Sequence, residues 1–232
     1  MSHPKPSRGP STTDSCPVGM RGIVPSLNTP FTADDRIDTA ALRRVVDVTI
    51  GAGCAGMLIC AVAGETGSLT PAERETVMRT VLEQTAGRIP VIVGVTHPDA
   101  ATRAMLAKQA KTLGAPWVLC QPPAGVRGKA LLPVFQALAD AGPEHLMIQD
   151  LDFTGPGMAL EDITMLFGAV PQFQALKIET LPAGPKYTHV LEATGGKLHV
   201  SGGWAVMQML EALRRGVHAF IPSTLDPVYR AI

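Results

Sequence analysis

The sequence predicts an α/β fold, a (β/α)8 TIM barrel whose eighth helix is truncated. Short apolar or β-branched runs alternate with helical patterns about twice as long, which is typical of repeated βα units. The alternation occurs eight times within about 200 residues, the number of strands that closes such a barrel. A doubly wound open sheet is the alternative, but the first predicted strand is not followed by a glycine-rich dinucleotide fingerprint.

Eight segments are predicted to be strands because they are short, apolar and bounded by turn-forming residues. They are residues 22–26, 56–62, 90–95, 117–121, 145–150, 174–179, 198–201 and 217–221.

The helices between these strands have recognisable ends. Asp38 and Asp99 precede two helical patterns in the N-cap position, and Thr70 with Pro71 opens a third. Several helical patterns end at a glycine, namely Gly51, Gly87, Gly114 and Gly216. Only a short segment, LDPVYRAI, follows the last strand, so we expect a stub in place of a full eighth helix.

Two domain-level expectations follow from composition along the chain. Residues 1–19 contain four prolines and four serines and no apolar stretch, so they are predicted to be a disordered leader rather than a secretory signal. Residues 20–232 are predicted to form the barrel domain.

Overall composition excludes several classes of partner. The chain has 232 residues with 20 basic and 20 acidic side chains, and its pI is near 7.0. A neutral chain lacks the basic surface that nucleic acid or an anionic membrane requires, and no apolar run approaches the roughly 20 residues of a spanning helix. We therefore expect a small-molecule partner, with no nucleic acid and no membrane.

The four cysteines indicate a reducing compartment. Cys54, Cys60 and Cys120 lie in apolar segments without CxxC spacing, and Cys16 lies in the predicted leader. This pattern is typical of reduced thiols in a cytoplasmic protein, with neither a disulfide nor a zinc site.

Lys177 is the strongest candidate for chemistry at the carboxyl ends of the strands, where such barrels hold their active sites. In the segment FQALKIET, alternation turns Leu176 and Ile178 toward the helices and Lys177 toward the barrel interior. Desolvation there favours the neutral amine, the form that attacks a carbonyl carbon. The alternative is a lysine that merely pairs with Glu179 near the barrel mouth.

The segment AVAGETGSLT after the second strand is a candidate anion-binding loop, since its small residues could expose backbone N–H groups to a carboxylate or oxyanion. A plain turn that leads into the next helix is the alternative. Two weaker hypotheses are a phosphate-binding turn at SGGW after the seventh strand, and a divalent-metal set of His97, Asp150 and Asp152.

Five segments in order resemble the dihydrodipicolinate synthase and N-acetylneuraminate lyase family: GIVPSLNTPF, AVAGETGSLTPAER, IPVIVGV, LKIE and SGGW. The resemblance extends from about Met20 to Ile232. It implies a TIM barrel, usually a homotetramer, in which a lysine forms a Schiff base with the keto carbon of pyruvate or another 2-keto acid. Lys177 matches that lysine.

The resemblance also implies a set of site residues. The loop reads Ala61-Val62-Ala63-Gly64-Glu65 and lacks two hydroxyls usual in the family, so the amides of Val62 and Ala63 are expected to hold the substrate carboxylate, with Gly64 and Glu65 beside them. Gly202 and Ile221 are expected to line the pocket. Gln149 stands where the family has a proton-relaying tyrosine, and an amide is not a general acid at neutral pH.

The function expected from these residues is a Schiff-base-forming lyase, of the aldolase or dehydratase type, acting on a 2-keto acid. Lys177 and Gln149 would be its catalytic residues, and the substrate-binding residues would be Val62, Ala63, Gly64, Glu65, Gly202 and Ile221. No cofactor and no metal are expected, and the protein is expected to be a cytoplasmic homo-oligomer, a dimer or a tetramer. The alternative is a degenerate barrel that binds a keto acid without turnover.

Overall fold

A computed structural model describes residues 19–204 and 207–223, in which strands and helices alternate along the chain. The strands are β1 (Gly22–Ile23), β2 (Met57–Ile59), β3 (Val91–Gly94), β4 (Trp117–Cys120), β5 (His145–Leu151), β6 (Phe173–Glu179), β7 (His199–Gly202) and β8 (Ala219–Phe220). The helices are α1 (Thr39–Gly51), α2 (Pro71–Thr85), α3 (Ala100–Thr112), α4 (Leu131–Asp140), α5 (Leu160–Ala169), α6 (Ala183–Ala193) and α7 (Met209–Arg214).

The eight strands form a closed parallel barrel, as predicted. Within the sheet the strands follow the order β1-β8-β7-β6-β5-β4-β3-β2. Backbone hydrogen bonds join the two ends of that order, because the Leu58 N–H donates to Pro25 O at 2.9 Å and the Leu27 N–H donates to Leu58 O at 2.8 Å. The fold class is therefore confirmed.

Five of the predicted strands match the observed ones to within one residue at each end, and three are clearly shorter in the structure: the eighth covers only Ala219–Phe220 instead of residues 217–221. The first covers only two residues as a regular strand, although Ser26 continues the ladder by bridging Leu58 and Ser223. The second ends at Ile59 instead of residue 62 because Cys60 adopts a left-handed conformation with φ of 51°. That conformation turns the chain out of the strand and into a single 3-10 turn, Val62–Gly64.

Alternation along the strands separates two apolar cores. Leu176 and Ile178 belong to the larger core, which lies between the sheet and the helices. Ala175 belongs to a smaller core inside the barrel, together with residues such as Leu58 and Met147. Because Lys177 and Glu179 follow Ala175 at two-residue spacing, their side chains point into the barrel interior.

The predicted helix starts are confirmed. The carboxylates of Asp38 and Asp99 each accept an N–H of the following first turn. Thr70 and Glu73 form a reciprocal capping box, with Pro71 in the first helical position. Such caps satisfy backbone donors that would otherwise lack partners at the start of a helix.

Cys54, Cys60 and Cys120 are buried, as predicted, and Cys60 and Cys120 are free thiols. Burial raises the pKa of the Cys60 and Cys120 thiols to about 12. No helix in residues 19–204 or 207–223 has both the length and the apolar character needed to cross a membrane. The predicted eighth-helix stub and most of the predicted leader lie outside the described residues.

Candidate active site

Strands β5 and β6 bring three polar side chains to the interior of the barrel mouth. Gln149 lies opposite Lys177 in the β5–β6 register, and Glu179 follows two residues later on the same face of β6. Lys177 is 4% exposed and Glu179 is 7% exposed. Strand alternation therefore places an amine and a carboxylate side by side, away from bulk water.

These side chains form a continuous hydrogen-bonded chain. The Nζ of Lys177 lies 3.0 Å from Oε2 of Glu179, and the Gln149 Nε2 donates to the same oxygen at 2.6 Å. The other oxygen, Oε1, accepts the backbone N–H of Trp204 at 2.8 Å. Gln121 Nε2 donates to Gln149 Oε1 at 3.0 Å, so the Gln149 amide is oriented from both ends.

Glu179 is held as a carboxylate anion. Burial raises its pKa, but the Lys177 ammonium together with the hydrogen bonds from Gln149 and Trp204 outweighs burial, and the net pKa lies below the usual value of 4.5. Gly203 makes room for this arrangement, since a Cβ at that position would lie 2.3 Å from Glu179 Oε1. Lys177 thus carries a charged partner 3.0 Å away.

A cavity of about 150 Å³ opens beside this ion pair. A water molecule occupies about 30 Å³ of liquid, so the cavity is the size of a small organic acid. Its lining residues come from six of the eight strands or from the loops that follow them: Ser26, Val62, Ala63, Gln149, Leu151, Phe153, Lys177, Glu179, Trp204 and Ser223.

Two residues of the loop after β2 line this cavity. Val62 and Ala63 line it, and the described residues contain no acceptor for either amide N–H. Gly64 and Glu65, which were predicted to bind substrate beside them, do not line the cavity. The Gly64 N–H already donates to Ala61 O at 3.0 Å, and Glu65 is exposed. Glu65 adopts a left-handed conformation with φ of 57° at the end of the turn and is not part of the cavity wall.

The loop is held in place by residues distant in sequence. The Asn28 Nδ2 donates to Ala63 O at 2.9 Å, and the Thr29 hydroxyl donates to Gly64 O at 2.8 Å. At the start of the loop, Cys60 O lies so close to Gly94 that a Cβ on that glycine would be 2.0 Å away. Glycine at position 94 is therefore a requirement of the left-handed turn at Cys60.

The two remaining predicted pocket residues lie outside the cavity lining. A Cβ at Gly202 would meet the Phe220 ring at 2.6 Å, so that face of Gly202 is turned toward the packed core rather than the cavity. Ile221 is buried in the small core inside the barrel, and its N–H donates to Gly202 O. Gly203, one residue further, is the glycine that adjoins Glu179.

The sequence analysis did not assign four of the wall residues to the pocket. Phe153 and Trp204 form an aromatic wall, with ring centroids 5.2 Å apart in an edge-on arrangement, and Ser26 and Ser223 line the cavity from the segments after β1 and after β8. The available signal was position alone, because Ser26 ends a predicted strand and the other three lie two or three residues beyond one.

The weaker hypotheses of a metal site and a phosphate site receive no support. No group of three His, Cys, Asp or Glu side chains suited to a metal ion occurs within the described part of the chain. Asp150 is paired with Lys186, and Asp152 accepts the backbone N–H of Thr154. In the SGGW loop the Trp204 amide donates to the Glu179 carboxylate, an anion that would repel phosphate.

Residues 19–229 match the model of the dihydrodipicolinate synthetase family. An L-2-keto-3-deoxyarabonate dehydratase from Azospirillum brasilense is 30% identical over 197 residues, which is 83% of this chain and 63% of that protein. A 4-hydroxy-tetrahydrodipicolinate synthase from Salinibacter ruber is 37% identical over 103 residues, 44% of this chain and 34% of that protein. The matched part of the chain thus spans less than two thirds of the length of these relatives.

Solved structures share the fold. A dihydrodipicolinate synthase from Rhodopseudomonas palustris superimposes with a TM-score of 0.81 at 22% identity, covering 95% of this chain and 75% of that one. A sialic acid aldolase from Ruminococcus gnavus gives a TM-score of 0.83 at 17% identity, covering 91% and 72%. The chain folds as a barrel of this topology, and its residues 19–229 match the family model. The chain therefore belongs to the dihydrodipicolinate synthetase family.

Proposed function

We propose that the protein is a Schiff-base-forming lyase, of the aldolase or dehydratase type, acting on pyruvate or another 2-keto acid. The observation that carries the proposal is the buried Lys177 amine, paired at 3.0 Å with Glu179 on the wall of a cavity the size of a small acid. A primary amine in such a cavity is the nucleophile that carbonyl substrates require.

Glu179 supplies the proton path for imine formation. Glu179 takes a proton from the Lys177 ammonium, and the resulting free amine adds to the keto carbon. A second proton then passes from the Lys177 nitrogen to the former keto oxygen. Glu179 then returns its proton to the resulting hydroxyl, which leaves as water and gives a protonated imine. The overall reaction joins ammonium and ketone and releases one water, so the carboxylate is regenerated.

Gln149 has a positioning role in this scheme. Its amide nitrogen donates to Glu179 and its oxygen accepts from Gln121, so it orients the carboxylate toward Lys177. Glu179 therefore relays the protons in place of the tyrosine that the family resemblance implies at position 149. The Val62 and Ala63 amides face the same cavity and would hold the substrate carboxylate.

A second cavity and the name of a relative favour dehydration of a hydroxylated 2-keto acid over condensation. The protonated imine acidifies the hydrogens on the next carbon, and Glu179 can take one of them and deliver it to a departing hydroxyl on the carbon beyond, which releases water. A second cavity of about 220 Å³ adjoins the first through Gln149 and Leu151 and is lined by Arg127 and Asp152 among others, which suits a polyhydroxylated tail. The relative from A. brasilense bears the name of such a dehydratase.

We also propose the cytoplasm as the location and a dimer or tetramer of identical chains as the assembly. The buried free thiols of Cys60 and Cys120 fit a reducing compartment. The family resemblance supports the assembly. No cofactor enters the proposed chemistry.

The test is borohydride trapping followed by a substrate panel. Pyruvate with borohydride is expected to add one reduced adduct, on the peptide that contains Lys177. The Lys177→Ala variant is expected to give no adduct, while Lys197→Ala, which removes an exposed lysine, matches the parent. Products lighter by one water are then expected from 2-keto-3-deoxy sugar acids.

Three other outcomes would decide against the proposal or against its dehydratase form. Labelling at another lysine, or none with any 2-keto acid, would exclude the Schiff base at Lys177. Trapping without turnover of any acid in the panel would favour a keto-acid-binding barrel. Rapid condensation of pyruvate with aspartate semialdehyde would show that the assignment of dehydration is wrong.

A further inference from the structure

The hydrogen-bonded chain at Lys177 runs outward through two amides whose orientation is fixed by chemistry. Glu179 is held as an anion and can only accept, so Gln149 must turn its NH2 group toward the carboxylate, at 2.6 Å. The Gln149 oxygen then faces away from Glu179, and it too can only accept. Gln121 must therefore supply its own NH2 group, which donates to that oxygen at 3.0 Å.

The outer end of this chain is the Oε1 atom of Gln121. This oxygen accepts no hydrogen bond from the described residues, and it does not belong to the buried polar atoms that lack a partner. Gln121 is half-buried directly after β4, and its backbone N–H donates to Thr96 Oγ1 at 3.0 Å. The oxygen is therefore an anchored acceptor that is open to a ligand.

Gln121 lines the cavity of about 220 Å³ that adjoins the one beside Lys177. Gln149 and Leu151 line both cavities, whereas Lys177 and Glu179 line the smaller one. A 2-keto acid whose keto carbon is joined to Lys177 would extend past Gln149 into the larger cavity. Its tail would then lie beside Gln121.

The charges around the larger cavity favour a neutral tail. The lining includes the carboxylates of Asp152 and Asp162 and the guanidinium of Arg127. A third lining carboxylate, that of Asp150, is paired with Lys186. Apart from that pair, negative charges outnumber positive ones by two to one, so a second carboxylate on the tail would be repelled. A hydroxyl group, in contrast, can donate to the acceptors on this wall.

We propose that Gln121 Oε1 accepts a hydrogen bond from a hydroxyl on the tail of the 2-keto acid, and that the Gln121 NH2 group positions Glu179 through Gln149. Gln121 is thereby a specificity-determining residue for hydroxylated substrates and a positioning residue for the proton path. The inference rests on the proposed function. It assigns one role to each polar atom of a single amide, so the two roles can be tested separately.

The experiment compares three 2-keto acids on four proteins. The acids are pyruvate, which has no tail, 2-ketopentanoate, which has an apolar tail, and 2-keto-3-deoxypentonate, which has five carbons and a hydroxylated tail. The proteins are the parent, Gln121→Met, Gln121→Glu and the control Gln136→Met. Gln136 is an exposed amide on α4 that donates to Asp140 and lines neither cavity. Borohydride trapping against concentration gives a half-saturating concentration and a maximal rate, and thermal melts check that each variant is folded.

Gln121→Met removes both polar atoms at nearly constant length. It is expected to raise the half-saturating concentration of 2-keto-3-deoxypentonate by about 3- to 10-fold, the usual effect of losing one neutral hydrogen bond. The values for 2-ketopentanoate and pyruvate stay within about twofold of the parent. The maximal rate falls for all three acids, because Gln149 loses the donor that orients it.

Gln121→Glu keeps an acceptor and removes the donor, so it separates the two roles. Its half-saturating concentration for 2-keto-3-deoxypentonate is expected to stay within about twofold of the parent, while its maximal rate falls for all three acids. Gln136→Met is expected to match the parent in every quantity.

Four results would overturn the inference. An equal rise for the two five-carbon acids in Gln121→Met, or no rise for either, would show that Gln121 does not accept a tail hydroxyl. A rise for 2-keto-3-deoxypentonate in Gln121→Glu as large as in Gln121→Met would contradict the acceptor role as well. Parent-like maximal rates in both variants would refute the positioning role. Each of these results leaves the proposed function standing as long as the parent traps pyruvate on Lys177, whereas a parent that traps no 2-keto acid there would refute both.

Discussion

Replacing Glu179 by glutamine tests the ion pair on which the proposed chemistry depends. The carboxylate accepts three donors: Lys177 and Gln149 on Oε2 and the Trp204 N–H on Oε1. An amide has the same shape but only one acceptor atom. Its NH2 group would therefore face a donor in either orientation, and the Lys177 ammonium would lose its counter-charge.

The magnitude follows from the burial of the pair, whose side chains are 5% and 9% exposed. Removing one partner of a buried ion pair costs about 3–5 kcal/mol. For a domain of this size that loss lowers the melting temperature by roughly 6–20 °C. Loss of a positioned proton-transfer group lowers the rate by about 10²- to 10⁴-fold.

The pH dependence of stability identifies the charge as the cause. The pKa of Glu179 is lowered in the folded protein relative to its usual 4.5, so the stability it contributes is complete above pH 4.5 and is lost as the pH falls through the folded-state pKa. The difference in melting temperature between parent and Glu179→Gln is therefore largest near neutral pH and narrows in acid.

The measurements are thermal unfolding between acid and neutral pH and the rate of borohydride trapping with pyruvate. Glu65→Gln is the matched control, since it neutralises an exposed carboxylate in the loop after β2. It is expected to change neither the melting temperature nor the trapping rate. A Glu179→Gln protein that melts within about 2 °C of the parent at neutral pH and traps pyruvate at the parent's rate would refute the reasoning.

Four further outcomes are expected. Gln149→Glu places a second carboxylate against Glu179, at the position of the present 2.6 Å hydrogen bond. The variant is therefore expected to be less stable than the parent at neutral pH and to recover part of the difference as the pH is lowered. Thermal melts at two pH values check this. Gly203→Ala forces a methyl group against the Glu179 carboxylate and is expected to lower the trapping rate at least tenfold with a stability loss of about 1–3 kcal/mol; a parent-like rate would contradict the assigned packing. Cys60, whose thiol pKa is raised to about 12, is expected to react with a thiol reagent at pH 8 only after unfolding, as mass mapping of the modified peptide would show. Thr70→Ala removes a helix cap and is expected to cost about 1 kcal/mol in denaturant unfolding with trapping unchanged.

Local patterns in the sequence predicted much of the fold. The caps at Asp38, Thr70 and Asp99 and the eight apolar strand segments depend on interactions within a few residues, so they can be read from short windows. The inward direction of Lys177 follows from two-residue alternation in a strand flanked by large apolar side chains.

The composition of the cavity wall depends on long-range geometry and was only partly predictable. Ser26 and Trp204 meet Lys177 because the barrel closes, and no local pattern encodes that meeting. Gly202 stays a prediction: a Cβ there would meet Phe220, whereas a Cβ at the adjacent Gly203 would meet Glu179, and a pair of glycines has no side chains that would indicate this difference in advance. Glu65 was assigned to the pocket because the motif suggested it, whereas its left-handed backbone belongs to the end of the turn.

The loop after β2 has a consequence for the thermodynamics of binding. Its first residue, Cys60, takes a left-handed conformation that a non-glycine side chain adopts at a cost of about 1–3 kcal/mol, and it does so beside Gly94 in a fully buried setting. Asn28 and Thr29 then fix the carbonyls of the turn. The strain and the ordering entropy of the loop are therefore met when the chain folds, before any ligand arrives. If Val62 and Ala63 hold the substrate carboxylate as proposed, their amides need no reordering when the anion enters, so little of its binding free energy is lost to ordering the protein.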